Sequence, residues 1–483
     1  MEKDRLVKQV SPKSEDFSKW YLEVISKTEM ADYTPMKGMM VIRPYGYAIW
    51  EIIQRLLDKR LKDTGHVNAF CPLFIPESFL QKEMDHLKGF APEVAWVTQG
   101  GQEELAERLA VRPTSEAIIG SLYSKWIKSW RDLPVLINQW ANIVRWEKVT
   151  RPCLRTTEFL WQEGHTAHET YEQAREETLK ILALYTEFVQ TELAIPVIFG
   201  KKTEWDKFAG ALDTFALEAI MGDGKALQMG TSHNLGQHFS KVFNIRFEDR
   251  DQNLQYVWQT SWGVTTRLIG ATVMVHGDDS GLRLPPAVAP VQVILVPISI
   301  GNWRQEVLPV AEKIQADLER AGLRVKLDAR EEFTPGWKFA EWEMRGVPLR
   351  LEIGPRDIKD NTVVAVRRDM KKKEPLAMAG LTDSVPALLA DIQKNLFSQA
   401  SDFLRENTRF VQNYEEFKAT IETKRGFLKA LWCGAQSCED KIKEETAASI
   451  RVIPFDTEKE ETRGCCLACR KEAQTIVYFA RAY

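Results

Sequence analysis

Between residues 44 and 62 the apolar positions Ile49, Ile52, Ile53, Leu56 and Leu57 recur every three or four residues, as one buried stripe of a long helix requires. After Gly65 the segment HVNAFCPLFIP turns β-rich and is punctuated by proline, so it reads as a strand. LAVRPTSEAIIGSLYSKWI reads as a strand followed by a helix, with Thr114 or Ser115 as the capping hydroxyl and Glu116 in the first turn. LPVLINQWANIVRWE and RTTEFLWQEGH form the arms of a hairpin whose basic tip, Lys148 to Arg155, is too polar for a core. From Tyr171 the positions Ala174, Thr178, Ile181, Leu182, Tyr185 and Val189 mark another helix, and Thr166 with Glu169 ahead of it fits a capping box. LQYVWQTSWGVTTRLIGATVMVHGDD predicts a strand, a turn at Gly263 and a helix with Arg267 near its start.

The Pro-rich stretch at 285–290 breaks this pattern and marks a domain boundary. Beyond it, VQVILVPI, the amphipathic RQEVLPVAEKIQADLERAGL, RVKLD, a helix around Trp337 to Arg345, LRLEIG and TVVAVRRD alternate as a small α/β domain that closes near residue 397. The remainder reads as mostly helical, charged and cysteine-bearing. At 483 residues and 44% apolar content, three domains with real cores are expected. A formal charge of −3 advertises no globally basic surface, though local patches stay open. No apolar run approaches membrane-spanning length, and the N-terminus is charged where a signal peptide is apolar, so a soluble cytoplasmic protein without a membrane partner is expected.

Candidate chemistry falls in three places. His165 and His168 sit three apart with carboxylates on both sides, which reads either as a zinc pair or as unrelated polar residues around a helix start. Neither Gly-rich phosphate-loop pattern is present, so a nucleotide must be held by side chains; Arg145, Arg151, Arg155 and Arg267, beside aromatics, are the candidates against a reading as solvated surface charge. Five of the seven cysteines lie in the last 51 residues, and Cys433, Cys438, Cys466 and Cys469 form two close pairs. Two thiolate pairs suit a closed structural zinc site; reduced free thiols are the alternative, and Cys465 can replace Cys466 as ligand.

VRWEKVTRPCLRTTEFLWQEGH resembles motif 2 of class II aminoacyl-tRNA synthetases, GHVNAFCPLFIP resembles motif 1, and TSWGVTTRLIG resembles motif 3. RPTSE, FLWQEGHTA, WDKFAGA, MGTSHNLGQ and GVPLRLEIGPRD together are similar to the archaeal and eukaryotic type of prolyl-tRNA synthetases, over essentially the whole chain. The resemblance implies an α+β catalytic domain at 1–289, with an antiparallel class II sheet and helices. An α/β anticodon-binding domain at 290–397 and a C-terminal zinc-containing α/β domain at 398–483 would follow.

It further implies a ligase that makes prolyl-adenylate from L-proline and ATP and charges tRNA(Pro), as a homodimer through the motif 1 helix and strand. Arg145 would meet the α-phosphate, with Arg267 closing on ATP from the other side; these two are the catalytic candidates. Arg155 and Thr156 would hold the outer phosphates, Phe159 would stack on adenine, Glu147 would orient this shell or the adenine, and Gln228, Thr231 and Thr265 would complete the ATP site. Thr114, Glu116 and Glu163 would take proline's ammonium, with Trp161, His165, Phe208 and His233 around its ring. Mg²⁺ would accompany the triphosphate. Arg345, Arg350, Glu352 and Arg356 are the anticodon candidates. Cys71 and Cys153 receive no role. About 90 residues between Glu163 and motif 3 are too few for an added editing domain. The terminal YFARAY is similar to a family ending whose tyrosine folds back toward the active site. A catalytically silent RNA-binding or regulatory relative is the rival reading; such a protein would shed the charged ATP contacts that this chain keeps.

Overall fold

A computed structural model describes residues 10–86, 93–147, 149–455 and 463–483; the first nine residues of the charged N-terminus and Lys148 of the basic loop lie outside this range. The central sheet has seven strands in the spatial order Val67–Asn68, Val135–Val144, Glu158–His168, Trp258–Thr265, Ala226–Gly236, Asp213–Ile220 and Ile198–Lys201. The short first strand pairs parallel with its neighbour and every other pair is antiparallel. The helix Tyr171–Thr191 covers the back of the sheet with Ala174, Thr178, Ile181, Leu182, Tyr185, Phe188 and Val189. Because strand side chains alternate between faces, Gln162 meets Tyr185 of this helix while its neighbours Trp161 and Glu163 point the other way, into a cavity.

Several local expectations give way to tertiary pairing. The strand Glu158–His168 continues through the predicted capping box: its last three residues pair with Trp258 to Thr260, and Thr166 Oγ1 bonds His168 Nε2 at 2.7 Å. The helix starts instead at Tyr171, capped by Thr170, whose hydroxyl accepts from Gln173 N–H. Gly263 is not a turn but a mid-strand residue, and a Cβ there would lie 2.9 Å from the carbonyl of Gln162. HVNAFCPLFIP divides between two sheets, with Phe74–Pro76 joining Glu103–Val111 and Trp96–Gly100. The kink is held by side chains: Gln139 accepts from Cys71 N–H at 3.0 Å, and Arg112 Nη1 donates to Cys71 O at 2.8 Å.

The second unit is a five-stranded mixed sheet ordered Val325–Leu327, Val293–Pro297, Leu349–Ile353, Thr362–Arg367 and Lys373–Ala377, packed by helices including Leu308–Arg320 and Pro335–Met344. Its last helix, Leu381–Glu406, runs straight through the 397/398 division expected from the sequence and links this unit to the next. The C-terminal unit is not mostly helical: Thr408–Phe410, Phe427–Trp432, Thr475–Ala480 and Ser449–Val452 form a four-stranded sheet against helices Tyr414–Thr423 and Gln436–Thr446. No helix among the described residues is long and apolar enough to cross a membrane.

Candidate active site

The front of the seven-stranded sheet frames a cavity of about 330 Å³. Phe159, Trp161, Glu163 and His165 enter it from alternate positions of one strand. Glu163 and His165 form a buried ion pair, with Nε2 and Oε2 2.8 Å apart. Burial works against both charges. His165 and hydrogen bonds from Ser115 and Gln139 nevertheless hold the Glu163 carboxyl below its usual range, and Glu163 in turn raises the imidazole. The apparent His165–His168 metal pair therefore dissolves, each imidazole being engaged by a neighbour on its own strand face.

The hydroxyls of Thr114 and Ser115 make no cap hydrogen bond to the helix Glu116–Trp126; they donate to Glu116 and Glu163, so two hydrogen-bonded carboxylates, one from this turn and one from the strand Glu158–His168, face the cavity. Burial, reinforced by the charges of His165 and Arg145, depresses His233 to about 3, and its neutral ring meets Thr214 Oγ1 at 2.9 Å through Nδ1. Phe208 lies 4.9 Å from that ring, centroid to centroid. Acidic groups, two imidazoles and flat apolar walls thus converge at one end of the cavity.

The other end is cationic. Arg145 is anchored by Nε to Pro113 O at 3.0 Å and lies 5.6 Å from the rings of both Phe159 and Trp161. Arg267 opens the helix Arg267–His276 and donates to Leu154 O at 3.1 Å and Gln228 O at 3.2 Å, while its own N–H is taken by Thr265 Oγ1. Desolvation within the cavity lowers the pKa of both guanidiniums, yet arginine stays protonated, so two cations face the same space. Arg155 completes the set but is paired with Glu147 at 2.7 Å, and Thr156 Oγ1 donates to Glu158 O. Gln228 and Thr231 line the same wall.

Sequence reading missed Lys202, Asp206 and Lys207, which also line the cavity, and Ser115 and Gln139, which hold Glu163. The strings WDKFAGA and RPTSE contain or border most of them; Gln139 carried no signal, being one polar residue in a strand. Cys71 and Cys153 are buried, which pushes their thiols up to about 11 and about 12, out of nucleophile range.

The anticodon candidates separate. Arg345 is committed between units, pairing with Glu29 at 2.6 Å while its carbonyl accepts from Tyr45 OH. Arg350 and Glu352 pair with each other at 2.9 Å, and Arg356 is exposed. In the C-terminal unit the thiols of Cys433, Cys438, Cys466 and Cys469 lie within 4.8 Å of one another, with Cys465 exposed and outside the group. Cys433 Sγ is 3.6 Å from Cys438 Sγ and from Cys469 Sγ, against about 3.8 Å between ligands of a tetrahedral zinc with bonds of about 2.3 Å. The backbone N–H of Lys471 draws the Cys469 thiol down to about 7. Tyr483 docks on the catalytic unit, its N–H on Ala226 O at 3.1 Å and its ring under Lys225 and Arg151.

An antiparallel sheet with an arginine-bearing hairpin, and an arginine opening the helix after its central strand, define a class II aminoacyl-tRNA synthetase. The family description for the class II core domain (G, H, P, S and T) matches residues 96–276, that for the anticodon binding domain matches 292–388, and that for the prolyl-tRNA synthetase C-terminal domain matches 414–483. The chain is 59% identical over 482 residues to the proline--tRNA ligase of Natranaerobius thermophilus, 99% of each chain being covered. It is 56% identical to that of Symbiobacterium thermophilum over the full length of both. A crystal structure of prolyl-tRNA synthetase from Cryptosporidium parvum, complexed with halofuginone and AMPPNP, superposes with a TM-score of 0.94 at 43% identity, covering 99% of this chain and 100% of the other. The chain belongs to the prolyl-tRNA synthetase family.

Proposed function

We propose that the cavity activates L-proline with ATP and passes it to tRNA(Pro). The observation that carries this reading is the division of one cavity into an acidic, aromatic-walled end and a cationic end. A secondary ammonium suits Thr114, Glu116 and Glu163; a small apolar ring suits Trp161, Phe208, His165 and His233. The substrate carboxylate then points toward Arg145. One carboxylate oxygen attacks the α-phosphorus, an acyl–phosphate bond forms, and the bond to the β-phosphate oxygen breaks to release pyrophosphate. Charge gathers on the α-phosphate oxygens as this happens, where a fixed guanidinium stabilises the transition state. Arg267 takes phosphate charge from the opposite side. Phe159 is the adenine platform, with Glu147, Arg155, Thr156, Gln228, Thr231 and Thr265 around the nucleotide. A terminal ribose hydroxyl of the tRNA then attacks the acyl carbon and AMP leaves.

When bound with ATP, Mg²⁺ would supply charge neutralisation on the triphosphate. The four thiols suit a structural zinc. Arg350, Glu352 and Arg356, with Arg345 at their edge, are the anticodon candidates. A cytoplasmic homodimer through the motif 1 helix and strand, without editing in cis, completes the reading. Proline-dependent exchange of labelled pyrophosphate into ATP tests it: exchange with proline well above that with alanine or glycine supports the pocket assignment, and equal or faster exchange with alanine overturns it.

A further inference from the structure

The loop at 202–210 supplies Lys202, Asp206, Lys207 and Phe208 to the cavity, yet Trp205 within it turns away. Trp205 reaches the C-terminal unit. Its indole N–H donates to the carboxylate of Glu439, and its ring meets Trp432 edge-on at 5.9 Å. Both partners are tied to the thiol cluster by the chain itself, because Trp432 precedes Cys433 and Glu439 follows Cys438. The second oxygen of Glu439 accepts from Ile450 N–H at 3.3 Å, which fixes the carboxylate to the strand Ser449–Val452. From that strand's end, Ile453 exchanges two backbone hydrogen bonds with Lys201, at 2.8 and 2.9 Å, at the base of the loop.

On the cavity side the loop is equally constrained. Phe208 N–H donates to Thr214 Oγ1 at 2.9 Å, the hydroxyl that also meets His233, so the Phe208 and His233 walls move as one piece. A helix-like turn connects the two ends, with Asp206 N–H and Lys207 N–H both reaching Thr203 O. Trp205 lies three residues from Phe208 across that turn, so a shift of its indole is passed to the wall.

We infer that Trp205 and Glu439 are positioning residues for the amino-acid pocket, through which the C-terminal unit sets where Phe208 stands. The inference rests on the assignment of Phe208 to the proline site. It assigns neither residue a contact with substrate.

Pyrophosphate exchange on the full-length protein, with proline and ATP varied separately, tests it. W205F keeps an aromatic ring but removes the donor, and E439A removes the acceptor. The expected result is a three- to tenfold rise in KM for proline for both variants, with kcat and KM for ATP within twofold of wild type. The double variant W205F/E439A should be no worse than the worse single variant. Equilibrium proline binding, followed by calorimetry, should weaken by the same factor, with thermal unfolding and bound zinc measured alongside. Proline KM and affinity within twofold of wild type in W205F overturn the inference, even if E439A proves too unstable to assay. Lowered stability with both KM values unchanged overturns it too, as a purely structural contact. Absence of proline-dependent exchange in the wild type would instead remove the pocket assignment beneath it.

Discussion

Glu163 shows how far single residues carry the account. It is buried, accepts from Ser115 and Gln139, and is paired with His165, an arrangement that stabilises an anion where an ammonium is expected to bind. Glu163→Gln removes the charge and keeps the shape; loss of a charge-assisted contact worth about 2–3 kcal/mol predicts a fall of roughly 30- to 150-fold in kcat/KM for proline, measured by exchange, with a smaller change for ATP. The pair also has a pH signature. Glu163, depressed, stays ionised as pH falls and loses its contribution only below its ordinary range, near 4.5. His165, raised, contributes fully below 6.5 and loses that contribution as pH rises through its elevated folded value. An NMR titration of the His165 ring in the free enzyme should give a midpoint above 6.5; a midpoint at or below it contradicts the ion pair. At this scale Phe159, Trp161, Glu163 and His165 were named through the resemblance to motif 2, and strand alternation is what brings them together in the cavity. Gln139 and Lys202 carried no such signal, because their places depend on strands and loops far along the chain.

At the scale of elements, long amphipathic segments were legible and their ends were not. The helices at Pro44–Asp63 and Tyr171–Thr191 follow from a repeat that only a helix can bury on one side. The capping box at Thr166 and Glu169 failed because two neighbouring strands offer Thr166 ladder partners in Leu136 and Thr260, and cross-strand pairing outweighs a cap worth about 1 kcal/mol. The Ser115 hydroxyl likewise bonds Glu163 rather than the helix. The sheet also explains Gly164: a Cβ there would lie 2.0 Å from the Trp262 ring, itself wedged under the helix Tyr171–Thr191. Gly164→Ala should therefore cost about 1–3 kcal/mol as overpacking and lower the thermal midpoint of the catalytic unit in calorimetry.

Across the whole molecule, three units were legible from the Pro-rich break and the cysteine tail, whereas the second division was obscured because one helix spans it. The sequence pattern favoured Cys466 as the fourth thiol with Cys465 as the alternative; the fold separates them, since Cys466 is buried in the four-thiol group and Cys465 is exposed outside it. Cys466→Ser should abolish bound zinc in an elemental assay and lower the unfolding temperature, whereas Cys465→Ser should leave both as in wild type; the reverse pattern would move the site. The C-terminal unit does more than hang from the chain, since its strand end, its Tyr483 and Glu439 all rest on the catalytic unit. The most direct test of the central claim is charging of a tRNA(Pro) transcript with labelled proline by the purified full-length protein. The account predicts ATP-dependent, enzyme-dependent accumulation of prolyl-tRNA that is lost in Arg145→Ala, and no accumulation above background from the wild-type protein would contradict it.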